Sequence, residues 1–133
     1  MDIQQTRALM RTQSIYGIPL RVTFYARVSS DTDEQLNSLD NQVAYYEDFI
    51  RKVTAWTYLP GYVDEGISGI STKKRAHFNE MIADAREGLF DLVITKEISR
   101  FARNTLDSLQ YTRELLRLGV GGVFQNDNIN TLD

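Results

Sequence analysis

Between Leu20 and Arg27 the chain alternates, with Val22, Phe24 and Ala26 on one side and Thr23, Tyr25 and Arg27 on the other. A period of two carried by β-branched and aromatic residues predicts a strand, and Ser29 stands where that strand stops. A polar segment, Asp31 to Asn37, separates it from the next pattern. From Ser38 the period lengthens. Leu39, Val43, Tyr46, Ile50 and Val53 recur at steps of four and three, which predicts a helix capped by Ser38 and running to about Lys52. Asp40 in its first turn and Arg51 and Lys52 in its last suit the helix dipole.

Trp56 to Val63 reads as a second strand, interrupted by Pro60-Gly61 and therefore expected at an edge or with a bend. Asp64-Glu65-Gly66 ends it, and the small polar stretch from Gly66 to Lys74 reads as a loop. Phe78, Met81, Ile82 and Ala85 define the next helix, which closes near Glu87 with Gly88 as its C-terminal cap. Leu92-Val93-Ile94 is wholly apolar, the signature of a strand covered on both faces. A further helix, from about Asn104 to Leu118, assigns Leu106, Leu109, Leu115 and Leu116 to the core and stops at Gly119, and Val120 to Phe124 is the fourth strand. Met1 to Pro19 has little periodicity, and Gly17 and Pro19 break it, so residues 1–19 read as a flexible or partly helical extension.

Alternating strands and helices predict an α/β fold: a mostly parallel central sheet of about four strands, helices on both faces and right-handed crossovers. In such sheets the binding crevice lies at the carboxyl ends of the strands. Ser29, Asp64 and the segment from Lys96 to Arg103 follow strands one, two and three, so residues scattered in sequence converge on one edge.

Composition narrows the class. At 133 residues and 42% hydrophobic the chain suits one core. It has no cysteine, which excludes a disulfide framework and a thiolate metal site and suits a cytoplasmic protein. No apolar run approaches the roughly 20 residues of a membrane span. The net charge of -3 argues against strong autonomous binding to a polyanion. Charge is unevenly spread, however. Residues 31–50 carry acids and no Lys or Arg, whereas Lys96, Arg100, Arg103, Arg113 and Arg117 outnumber Glu97, Asp107 and Glu114.

The candidate chemistry is reached largely by elimination. There is no phosphate-binding glycine loop ending in Lys-Ser/Thr and no Gly-x-Ser-x-Gly, and the single histidine, His77, reads as an ordinary helix-start residue. What remains is a serine among arginines. Arg27, two residues before Ser29, shares its side of the strand and sets a fixed charge beside the hydroxyl. Arginine's planar fork clamps phosphate at any working pH, and a serine among such groups suits phosphoryl transfer. Each element has a plain rival: Ser29 as a helix cap, Arg100 and Arg103 as a surface pair, Asp64 as a strand end. Ser30 is the competing hydroxyl, disfavoured because it falls on the side opposite Arg27.

Four stretches, Tyr25-Ala26-Arg27-Val28-Ser29, Ser38-Leu39-Asp40-Asn41-Gln42, Asp64-Glu65-Gly66-Ile67-Ser68-Gly69 and Ser99-Arg100-Phe101-Ala102-Arg103-Asn104, resemble in order and spacing the catalytic domain of the serine recombinases. The resemblance is to the large branch, of the phage-integrase and transposon type, and runs from about Arg21 to Asp133. It implies a resolvase-like catalytic domain over residues 20–133, truncated before an oligomerisation helix and DNA-binding domains. It also implies Ser29 as the nucleophile that forms a 5′-phosphoserine link to DNA, with Arg27, Arg75, Arg100 and Arg103 as the arginines of the site. Tyr25, Gln42 and Asp64 fall at supporting positions. Ser99 is a departure, since the small resolvases carry an aspartate there, and proton transfer to the leaving oxygen is left unassigned. No cofactor or metal is implied. The partners are double-stranded DNA, held mainly by the missing domains, and further copies of the chain in a dimer or tetramer, with no membrane; the isolated fragment is expected to be inactive. Two other classes stand beside this one: a non-catalytic assembly module of the same fold, and a generic α/β ligand-binding domain.

Overall fold

The computed structural model describes residues 2–27, 33–64, 75–96 and 105–133, with only the backbone of residues 33–39 and 105. Among these, helices α1 (Ile3–Met10), α2 (Asp33–Lys52), α3 (Ala76–Arg86) and α4 (Thr105–Arg117) accompany strands β1 (Arg21–Arg27), β2 (Thr57–Tyr58), β3 (Tyr62–Asp64), β4 (Leu92–Thr95), β5 (Gly121–Phe124) and β6 (Ile129–Asn130). The sheet order is β2-β1-β4-β5-β6, with β3 also pairing with β1. All pairs are parallel except β5 with β6. This is the expected α/β fold with a mostly parallel sheet.

The alternation read from β1 divides the core in two. Val22, Phe24 and Ala26 join Leu92 and Ile94 of β4 beneath Tyr46 and Ile50 of α2. Tyr25, with Val93 and Phe124, packs instead against Phe78, Met81, Ile82 and Ala85 of α3 and Leu115 of α4. Period-two strands thus bury both faces, each under its own helices.

The second strand divides where proline and glycine predicted. β2 pairs with β1 at Arg21 and Val22, and β3 pairs with it at Tyr25, Ala26 and Arg27. Between them Gly61 lies against Phe24, where an added Cβ would stand 2.3 Å from the ring. Gly88 and Gly119, just beyond α3 and α4, have φ of 70° and 91°, the left-handed turn that ends a helix.

Two features depart from the expected pattern, and β6 adds a strand the pattern did not mark. The backbone of α2 is helical from Asp33, five residues before Ser38. Leu106 and Leu109 are not core residues: they are 65% and 46% exposed, because α4 turns Ser108 and Leu115 inward instead. The extension is partly helical, one of the two states expected of it, as α1 and a 3-10 turn at Ile15–Gly17, with Ile15 and Ile18 buried and the Trp56 indole N–H donating to the Ile15 carbonyl at 3.1 Å.

Candidate active site

The carboxyl end of β1 meets the end of β3, with Arg27 directly opposite Asp64 in the strand register. Asp64 is 1% exposed, and a carboxylate so buried requires partners. Its Oδ1 accepts the His77 N–H at 2.9 Å, and its Oδ2 accepts the Phe78 N–H at 3.1 Å and the Tyr25 hydroxyl at 2.8 Å. The two amides belong to the first turn of α3, whose cap position, Arg75, gives no side-chain hydrogen bond to the helix. Asp64 therefore caps α3 from a strand, its charge set against the positive end of the helix dipole.

Arg75 completes the cluster. It is 3% exposed, its Nε donates to the Tyr25 hydroxyl at 3.3 Å, and its guanidinium carbon lies 3.8 Å from the centre of the Phe78 ring and 5.3 Å from that of Tyr25. Tyr25 thus accepts from a cation and donates to a carboxylate. Burial, first, pushes its hydroxyl up to about 12; Arg75 pulls the other way and Asp64 adds to the rise. The phenol stays protonated at working pH and holds the two charges apart in a fixed geometry. A guanidinium stacked on an aromatic face and tied through its Nε has few conformations left, which is what a preorganised anion site requires.

Of the residues singled out in the sequence, the structure brings Tyr25, Arg27, Asp64 and Arg75 together. Gln42 lies half-buried on α2, whose packing face covers the opposite side of the sheet from Tyr25. Ser29, Ser30, Ser99, Arg100 and Arg103 lie outside the described residues. His77 engages Asp64 through its backbone only, and its imidazole stands 3.6 Å from the exposed Glu80. Phe78 went unnoticed in the sequence, where it read as one more apolar position of α3; the signal available was its place three residues after Arg75, on the same side of the helix. Among the described residues no cluster of three His, Asp or Glu side chains could hold a metal ion, and no helix is long and apolar enough to cross a membrane.

The family model described as Resolvase, N terminal domain, matches residues 22–133. Among solved structures, a resolvase family site-specific recombinase from Streptococcus pneumoniae is 30% identical over 84% of this chain and 75% of its own, with a TM-score of 0.69. The first ORF of transposon ISC1904 from Sulfolobus solfataricus is 28% identical over 79% of this chain and 66% of that one, with a TM-score of 0.64. The N-terminal catalytic domain of TP901-1 integrase, at 24% identity, shares the fold over 85% of this chain and 82% of that one, with a TM-score of 0.60. No curated protein matches the chain.

Proposed function

Because the chain belongs to the resolvase N-terminal domain family, whose members act in site-specific recombination, we propose that it is a serine recombinase catalytic domain that cuts and rejoins DNA through Ser29. The observation that carries this reading is the buried Arg75–Tyr25–Asp64 chain of hydrogen bonds at the strand end from which Arg27 leads, two residues on, to Ser29.

The reaction balances without a cofactor. The Ser29 Oγ attacks a backbone phosphorus and gives up its proton. The bond from phosphorus to the 3′-oxygen breaks, that oxygen takes up a proton, and the DNA 5′-phosphate is left as an ester of Ser29. After strand exchange the free 3′-hydroxyl attacks the ester and restores both partners. Arg27, Arg100 and Arg103 hold the phosphate oxygens, and Arg75 adds a fixed charge from within the site. Since phosphoryl transfer depends chiefly on positioning and charge neutralisation, arginines held in place supply what metal ions supply elsewhere. Asp64 supports the site through Tyr25 and the first turn of α3, and a second copy of the chain brings the second strand to be exchanged.

The polarity of the cut tests this reading. With the chain joined to the oligomerisation helix and DNA-binding domain of a resolvase-family recombinase, and duplex DNA carrying that domain's recombination site, cleavage should leave 3′ ends that a polymerase extends and 5′ ends blocked by protein. Free 5′ ends with blocked 3′ ends would contradict a serine mechanism, and intact DNA under conditions where the protein binds it would favour the assembly module.

A further inference from the structure

We infer that Tyr46 of α2 is a positioning residue for the catalytic arginines, fixing the point at which the chain leaves β4 relative to the point at which it leaves β1. The inference rests on the recombinase reading and concerns a residue that reading does not use.

Tyr46 occupies one position of the apolar stripe of α2 and is 1% exposed. A stripe position of this kind needs only an apolar side chain, and a buried hydroxyl is unfavourable unless hydrogen-bonded. Here it is bonded at a particular place. The Lys96 backbone N–H donates to the Tyr46 Oη at 2.9 Å, so a helix side chain serves a backbone group immediately after β4. The ring of the same tyrosine stacks on Phe24 of β1, with centroids 4.7 Å apart and planes at 9°. Phe24 is three residues before Arg27 and five before Ser29; Lys96 is four before Arg100. One rigid side chain therefore touches both strands whose ends lead to the reacting groups.

Neighbouring contacts hold Lys96 from other directions. Its carbonyl accepts the Asn126 N–H at 2.7 Å, and its Nζ lies 4.4 Å from the centre of the Tyr45 ring. Tyr45 in turn donates its hydroxyl to Gln125 Oε1 at 3.0 Å. Adjacent tyrosines on α2 thus have separate tasks: Tyr45 holds the Lys96 side chain and the turn after β5, while Tyr46 holds the backbone. Removing the Tyr46 hydroxyl keeps the ring on Phe24 and takes away the acceptor of the Lys96 N–H.

The test compares Tyr46→Phe with Tyr45→Phe, which keeps a ring beneath Lys96 and leaves the Lys96–Tyr46 bond alone. In backbone NMR of the chain, Tyr46→Phe should shift the amides from Lys96 through Asn104 while leaving those of Tyr25, Asp64 and Phe78 in place. A change confined to Lys96 would overturn the inference. In single-turnover reactions on nicked site DNA, with the chain joined to the oligomerisation helix and DNA-binding domain of a resolvase-family recombinase, Tyr46→Phe should slow serine–DNA adduct formation about 10- to 100-fold, the range expected of small misplacements of reacting groups. DNA affinity should change less than about twofold, because charge and binding surface are retained. Tyr45→Phe should slow the reaction far less. A wild-type rate in Tyr46→Phe, or equal losses in both variants, would also overturn the inference. If the wild-type chain joined to those domains forms no serine adduct, it is the recombinase reading that fails, and the NMR comparison still decides whether Tyr46 sets the exit of β4.

Discussion

At the scale of single residues, the clearest anomaly is Thr95, the last residue of β4. It is 1% exposed, and its hydroxyl has no hydrogen-bond partner among the described residues. A buried unpaired hydroxyl costs roughly 1–3 kcal/mol, and valine has nearly the same shape without that cost. Thr95→Val should therefore stabilise the fold by about 1 kcal/mol, a rise of roughly 4 °C in a domain of this size. Thermal unfolding followed by circular dichroism measures it, and a lower midpoint would mean that the hydroxyl has a partner. Nothing in the sequence marked Thr95, since a threonine at a strand end is unremarkable until its surroundings are known. Phe78 and Tyr46 were visible only as apolar positions for the same reason: periodicity says that a side chain is buried, and does not say what its ring or hydroxyl meets.

Among the elements, α3 depends most on a distant residue. Its first turn is capped from β3, so the sequence around Arg75 carries no capping signal, while Asp64, eleven residues earlier than Arg75, carries both the cap and the Tyr25 bond. Asp64→Ala should cost about 3 kcal/mol, combining a lost cap with a buried Tyr25 hydroxyl left without its acceptor. Urea unfolding measures the loss, and faster amide exchange at His77 and Phe78 would locate it; a cost below about 0.5 kcal/mol would show that the cap contributes little. Most elements were legible because one chemical rule governed each. Alternation marked β1, Pro60-Gly61 marked the break between β2 and β3, and Gly88 and Gly119 marked helix ends. The stripe of α4 was misread because Leu106 and Leu109 fit a helical period with Leu116 while the buried line runs through Ser108 and Leu115. β6 escaped notice although Gln125-Asn126-Asp127-Asn128, with Asn128 at φ 55°, is a turn after which Ile129-Asn130 folds back on β5.

Across the whole molecule, residues far apart in sequence meet in the fold. The motifs nominated Tyr25, Arg27, Asp64 and Arg75 from separate parts of the chain, and β1, β3 and α3 bring those four to one corner of the sheet. Geometry among them was not readable, because the chain records which groups occur and only packing determines that Tyr25 separates a buried cation from a buried anion. The central claim concerns Ser29, two residues beyond Arg27 in the sequence. The direct measurement is covalent capture by the chain joined to the oligomerisation helix and DNA-binding domain of a resolvase-family recombinase, on a nicked duplex bearing that domain's site, with mass spectrometry of the DNA-linked peptide. The account predicts a phosphodiester link at Ser29 that disappears in Ser29→Ala and persists in Ser30→Ala. A link at Ser30, or one that survives Ser29→Ala, would contradict it.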